Sequence, residues 1–180
     1  AVAMVAAYNR LIALKGQTDN AWKQIDVQLK RRHDLIPNLI NAVKGAMQFE
    51  KETLESVISA RNAAVTAAAS ASPATAGTVA SAEGALTAAL TKFMAIVEAY
   101  PDLKATGNIG QLQEELASTE NKVAFARQAY NDTATEYNVA QKQFPTVLVA
   151  GMAGASPAQL WEITEEADSA VPTVDLSMKK

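Results

Sequence analysis

From Leu112 to Phe144 the apolar positions fall at Leu112, Leu116, Val123, Ala126, Tyr130, Tyr137, Ala140 and Phe144, with Thr119 and Thr133 in the two remaining places. The steps alternate four and three without a break. That spacing keeps one stripe of a helix against a partner in a left-handed, coiled-coil-like bundle. Both threonines are small enough for such a seam. Asn108 with Gln111 reads as an N-terminal capping box, and Pro145 ends the run.

The start of the chain follows the same alternation through Met4, Tyr8, Leu11, Lys15, Thr18, Trp22, Ile25 and Leu29, with polar lapses near Gly16. It predicts one helix from about residue 3 to 33. A second helix is expected from Asp34, a good N-cap, because Pro37 is tolerated in a first turn and disfavoured further in. Its stripe is Ile36, Ile40, Val43, Met47, Leu54, Val57 and Val65, with Glu50 intruding. Residues 66–85 are low in complexity, and Ser72-Pro73 fits a helix stop followed by a new start with proline in the first helical position. A third helix carries Leu86, Leu90, Phe93, Met94 and Val97, and Tyr100-Pro101-Asp102 with Gly107 marks the next turn.

Helices of about 30 residues reach roughly 45 Å, and short connections between them make neighbours antiparallel. The pattern therefore predicts an all-α fold, a long antiparallel up-and-down four-helix bundle over residues 1–145. Residues 146–180 form a C-terminal extension: an apolar segment, a short helix from Ser156 to about Asp168, and an extended tail from Val171.

Composition narrows the classes. Aromatics are few and alanine is abundant, which suits closely approaching helices. A net charge of −3 argues against nucleic acid as a partner. The absence of cysteine excludes disulfides and thiol catalysis. Ala1 to Ala7 is apolar, with no charge before Arg10. Seven residues are too few to span a bilayer, which takes roughly 20. The run reads either as a first bundle turn or as the end of a membrane helix.

Catalytic patterns find little support. A di-iron bundle needs two Glu-x-x-His units; this chain has one histidine, His33, with Lys30 where the glutamate would stand. His33 and Asp34 are sequence neighbours and point apart, so they make no dyad; His33 reads as a helix C-terminal residue beside the partial negative charge there. Gly107-Asn108-Ile109-Gly110 lacks the lysine of a phosphate loop and reads as a turn. Lys30-Arg31-Arg32 reads as a solvated helix end or as a docking patch for an acidic partner. Asn9, Asn38, Asn41, Asn131, Asn138, Gln24 and Gln28 put amides near the seams, where they favour a register-fixing role over a ligand site. Tyr130-Asn131 and Tyr137-Asn138 repeat at seven residues, which returns each pair to one face. No catalytic, cofactor-binding or metal-ligating residue is assigned.

The segment Ala21-Trp22-Lys23-Gln24-Ile25-Asp26-Val27-Gln28-Leu29-Lys30-Arg31-Arg32-His33-Asp34-Leu35-Ile36-Pro37-Asn38-Leu39 closely resembles the signature of LemA proteins. Tyr8-Asn9, Val43-Lys44-Gly45, Ala60-Arg61, Tyr100-Pro101-Asp102-Leu103, Leu112-Gln113-Glu114-Glu115-Leu116, Tyr130-Asn131, Tyr137-Asn138 and Phe144-Pro145 follow in family order. Residues 66–85 and 146–168 depart most from the family's pattern. The resemblance implies a membrane helix just before Tyr8-Asn9, a helical bundle on the non-cytoplasmic side of the membrane, and no established catalysis. The family includes a magnetosome-associated branch, the MamQ proteins.

With that resemblance, the chain is expected to be a membrane-anchored structural or interaction module of the cell envelope, held by its N-terminal helix and partnered by copies of itself or other envelope proteins. The alternative is a ligand-binding or sensory bundle with a small pocket, for which Asn9, Tyr130 and Tyr137 are the candidate lining. An up-and-down bundle brings Phe144 back to the end where helix 1 begins. Val147, Leu148, Val149, Met152 and Trp161 are therefore expected to form a membrane-proximal contact collar, and Lys30, Arg31 and Arg32 a second candidate interaction patch.

Overall fold

A computed structural model describes residues 1–105 and 107–162 of the chain. Among the described residues the fold is all-helical, with helices α1 (Val2–Val43), α2 (Lys51–Ala69), α3 (Ala76–Val97), α4 (Pro101–Lys104) and α5 (Gly107–Lys142). Single 3-10 turns at Pro73–Thr75 and Thr146–Leu148 complete the helical elements.

The first helix does not stop at residue 33. Its buried stripe runs Ala7, Leu11, Leu14, Thr18, Trp22, Ile25, Leu29, Arg32, Ile36, Leu39 and Val43, in steps of three and four, with His33, Leu35 and Ile40 widening it toward the end. The inward residue near Gly16 is Leu14; Lys15 turns out and donates from Nζ to the Gly154 carbonyl at 3.1 Å. At 42 residues, α1 is about 63 Å long. Pro37 lies inside it. Proline has no N–H to give the carbonyl four residues back, which here belongs to His33. Arg61 of α2 supplies the missing donor, Nε to the His33 carbonyl at 3.1 Å. A local stop signal is thus overridden by a tertiary hydrogen bond, and the expected boundary at Asp34 is absent.

The turn between α1 and α2 is stoppered by Met47, which is fully buried, and Glu50 sits in this break as the residue before α2. Along α2 the inward positions are Leu54, Val57 and Ala64, one place before the expected Val65. Ser72 N–H donates to Thr75 Oγ1 at 3.0 Å, so the Ser-Pro start of the third helical segment forms as its sequence indicates. α5 begins at Gly107, which puts Asn108 inside the first turn instead of before it. Its seam holds from Leu112 to Ala140, with Ala134 taking the place expected for Thr133, and Phe144 lies beyond the helix and exposed.

Pairings along the helices fix their directions. Arg10 faces Glu136, Trp22 stacks on Tyr130 and Arg32 meets Glu120, so α1 and α5 run antiparallel. Gln113 meets Met94 while Tyr130 reaches Pro73, so α3 is antiparallel to α5. With 19 and 22 residues, α2 and α3 line only the half of the molecule toward Val43. In the other half α1 and α5 continue as a pair, and the segment after Pro145 folds back along them. The expected helix from Ser156 is not formed over 156–162, which is extended; its continuation to Asp168 and the tail from Val171 lie outside the described residues.

Two apolar clusters result. One gathers Ile36, Leu39, Val43, Met47, Val57, Leu86, Phe93 and Ile109. The other gathers Leu11, Trp22, Ile25, Leu29, Val79, Tyr130, Tyr137 and Trp161. The stretch Pro73–Val97 is long and apolar enough to cross a membrane by length and composition, with a mean hydropathy of 1.2. Its inward residues are committed to both clusters, Val79 to one and Leu86 and Phe93 to the other.

Arg61→Ala should destabilise the chain by about 1–3 kcal/mol, because the His33 carbonyl loses its partner. In a Pro37→Ala background the backbone N–H of residue 37 can serve that carbonyl, and the same Arg61 change should cost less. A double-mutant cycle by urea denaturation reads this coupling; additive effects would show that Arg61 does not serve the proline gap.

Candidate functional site: a buried charge centre and a clamped tail

Between the two apolar clusters lies a set of charged residues. Arg32 and His33 on α1 and Glu83 on α3 are each less than 5 % exposed. The Glu83 carboxylate is divided between its two neighbours: Arg32 Nη2 donates to Oε2 at 2.7 Å, and His33 Nε2 lies 2.5 Å from Oε1. Adjacent helix positions point about 100° apart, and one carboxylate placed between them satisfies both. Arg32 Nη2 also donates to the Glu83 carbonyl at 2.9 Å, and Nη1 to Thr87 Oγ1 at 3.0 Å and to the Glu120 carboxylate of α5. The planar guanidinium fork therefore joins three helices, work that a lysine ammonium could not do in the same geometry.

This changes the reading of the basic run. Arg32 is a core residue and cannot join a surface docking patch, because its helix continues past it and turns it inward. His33 is likewise in the middle of a helix and not at its C-terminus. Lys30 and Arg31 remain on the surface, with the Asp26 carboxylate 2.9 Å from the Lys30 ammonium holding Lys30 above the usual lysine range. Asn9, Asn38 and Asn41 are exposed. Among the described residues no three His, Asp or Glu side chains are grouped to hold a metal ion.

The second constellation is on the outer half of α5. Asn138 pairs with both backbone groups of Ala158: its Nδ2 donates to the carbonyl at 2.7 Å, and its Oδ1 accepts the N–H at 2.8 Å. Asn131 does the same for Trp161, at 2.9 and 2.8 Å. The tyrosine hydroxyls add a parallel row. Tyr137 accepts the Ser156 N–H at 3.3 Å, and Tyr130 donates to the Gln159 carbonyl at 2.6 Å. Both rows match seven residues of helix to three of the tail. Seven helical residues rise about 10.5 Å, and three residues of nearly extended chain span about 10 Å, so the two spacings nearly coincide. Trp161 packs on Trp22 with ring centroids 6.2 Å apart, and Trp22 meets Tyr130 edge-on at 5.3 Å. Burial pushes Tyr130 up to about 12, with the Asp19 charge adding to it, and burial raises Tyr137 as well.

The candidate collar is split by this arrangement. Val149 and Trp161 face the chain's own bundle and are buried, whereas Val147, Leu148 and Met152 face outward. The Tyr130–Tyr137 face holds the tail and is no pocket. A cleft of about 440 Å³ does lie between α3 and α5, lined by Leu90, Met94, Gln113, Leu116, Ala117 and Glu120 among others. The repeated Tyr-Asn pair was visible in the sequence. Its role was not, because residues 156–161 read as helix and so offered no free backbone to bind.

Glu83→Ala should cost about 3–5 kcal/mol in denaturant unfolding, since it leaves Arg32 buried without its main partner. Glu120→Ala should cost clearly less, because that carboxylate is 38 % exposed. Equal losses would show that the centre is not organised around Glu83.

Alkaline stability tests the clamp. Tyr130 keeps its proton in the folded chain up to about pH 12, whereas an unfolded tyrosine ionises near 10. Its contribution is therefore complete below pH 10 and is lost as pH rises toward 12. Tyr130→Phe should flatten the fall in unfolding free energy between pH 10 and 12, measured by urea melts. An unchanged slope would mean that this phenol titrates alike in both states.

Comparison with known proteins agrees with this architecture's sequence basis. Magnetosome protein MamQ 2 of Paramagnetospirillum magneticum is 27 % identical over 95 residues, 53 % of this chain and 35 % of that protein. Magnetosome protein MamQ of Magnetospirillum gryphiswaldense is 33 % identical over 73 residues, 41 % of this chain and 27 % of that protein. The chain thus spans about a third of the length of these curated relatives. The LemA family matches residues 21–176, which takes in α1 from Ala21, both charged partners of Arg32 and the whole clamp, and the chain belongs to that family.

Proposed function

We propose that this chain is a membrane-anchored structural and interaction module of the cell envelope, that it associates with copies of itself, and that it performs no catalysis. The reading takes the helices as an up-and-down bundle attached where α1 begins, with the bundle on the non-cytoplasmic side. The observation that carries it is the grouping of exposed apolar side chains at that end. Phe144 is 81 % exposed, Met152 80 % and Leu148 60 %, and Val147, Val2 and Val5 are exposed as well. The α1–α5 register puts Phe144 level with the first turns of α1. Large apolar side chains left exposed toward one end of a bundle mark a contact surface, and the first turns of α1 offer no charge before Arg10. Lys30 and Arg31 form a second exposed patch, suited to an acidic partner. Catalysis is disfavoured by the sealing of the chain's one histidine and its strongest carboxylate pairing inside the core, where no substrate reaches them.

A ligand-binding reading finds its more apolar concavity in the α3–α5 cleft. Its middle is apolar and its Glu120 end is already bonded to Arg32, so the cleft offers little free polar chemistry for specificity.

Photo-crosslinkers at Leu148 and Met152, in the anchored protein in native membranes, test the collar. Adducts to lipid or to a second copy are expected. Only intramolecular adducts would reject it.

A further inference from the structure

We propose that the Asn131–Asn138 clamp is a receptor for extended chain that is filled, in assemblies of this protein, by residues 156–161 of a neighbouring copy. This deepens the self-association proposed above and rests on that reading for the crowding of copies at one surface; the clamp chemistry stands independently.

The clamp recognises backbone. Asn131 and Asn138 each present a carboxamide whose donor and acceptor pair with the N–H and C=O of one tail residue, and Tyr130 and Tyr137 also bond main-chain atoms. Nothing in these bonds distinguishes the chain's own tail from an identical tail on a second copy. The side-chain contribution is mainly Trp161 on Trp22, together with Gln159 Oε1 accepting the Gly77 N–H at 3.1 Å. Both belong to the same repeated segment. The receptor does not need the tail for its own order: Trp22 packs on Tyr130, and the Tyr130 hydroxyl also reaches the Pro73 carbonyl at 3.3 Å.

The connection is suited to opening. Residues 150–155 contain Gly151 and Gly154, and Gly154 takes a φ of +60°, the conformation that favours glycine. Lys15 donates one exposed hydrogen bond to the Gly154 carbonyl, and Ala153 packs in the second apolar cluster, so exchange breaks this packing in one chain and remakes it in the other. Closed on itself, the chain leaves Leu148 and Met152 in water. In an exchanged pair the two connections must pass one another at the same end, which brings these residues face to face. Exchange of an identical element is a low-cost route to a dimer, because every bond lost within a chain is remade between chains.

The chain has no cysteine, which makes a direct test clean. Gln141 Nε2 reaches the Ser156 carbonyl at 3.3 Å, so thiols at these two positions fall within the span of a short bifunctional maleimide when the tail is clamped. Full-length Gln141→Cys and Ser156→Cys chains, each carrying one thiol, are mixed at the membrane and treated with that crosslinker. The inference expects a heterodimer in about tenfold excess over either homodimer, reflecting the raised local concentration of a docked segment. It expects Asn131→Leu with Asn138→Leu in the Gln141→Cys chain to abolish that excess. No excess of heterodimer, while a chain carrying both Gln141→Cys and Ser156→Cys crosslinks only within itself, overturns exchange. Crosslinks through Leu148 and Met152 that persist in that case would leave the proposed collar standing.

Discussion

A guanidinium buried at 1 % exposure cannot stand alone, and the rest of this fold is arranged to answer Arg32. Removing a charge from water costs several kcal/mol unless its hydrogen bonds are matched. Glu83 meets it from α3, Glu120 from α5, and His33 completes the Glu83 carboxylate. Each helix can slide against its neighbours while apolar surface stays covered, because leucine and alanine stripes accept more than one register. The fork of Arg32 accepts only the register that puts Glu83 and Glu120 opposite it. Apolar packing thus provides the bulk of the stabilisation, and the ionic centre selects which packing is formed.

The centre also explains why the core has two parts. Ile36, Leu39 and Phe93 lie on one side of it, Ile25, Leu29 and Val79 on the other. α3 runs past Arg32 to the level of Trp22 and Tyr130, where Pro73 lies. The Pro37–Arg61 pairing lies one turn further along α1 and ties α2 to the same region. An extended helix through a proline and a buried charge therefore coincide within about two turns.

Much of this was legible in the sequence, and the failures share one cause. The seam of α5 and most of that of α1 follow from spacing alone, since a 3.6-residue period leaves few alternatives. The Ser72-Pro73 start follows from local backbone chemistry. Arg32, His33 and Pro37 were misread because each was judged by its neighbours in sequence. A basic run before Asp34 and a proline looks like a helix end; the partners that make it a helix interior, Arg61, Glu83 and Glu120, lie 28 to 88 residues away. Long-range satisfaction of polar groups leaves no periodic trace.

The clamp shows the same principle working outward. In Tyr130-Asn131 and Tyr137-Asn138 the tyrosine takes the seam position and the asparagine sits about 100° around the helix, on the flank of the α1–α5 groove. An asparagine there has no helix to face and is only half-buried. It becomes useful when an extended strand runs along that flank, because its amide supplies one donor and one acceptor to a chain that has lost its own helical partners. The seven-residue repeat then serves two periods at once, the heptad of the seam and the three-residue spacing of the tail. A hydrophobic stripe alone would hold the tail without fixing its register. Two amides spaced by seven hold it at a three-residue spacing through atoms that every residue but proline possesses, and Trp161 on Trp22 selects which residues meet them.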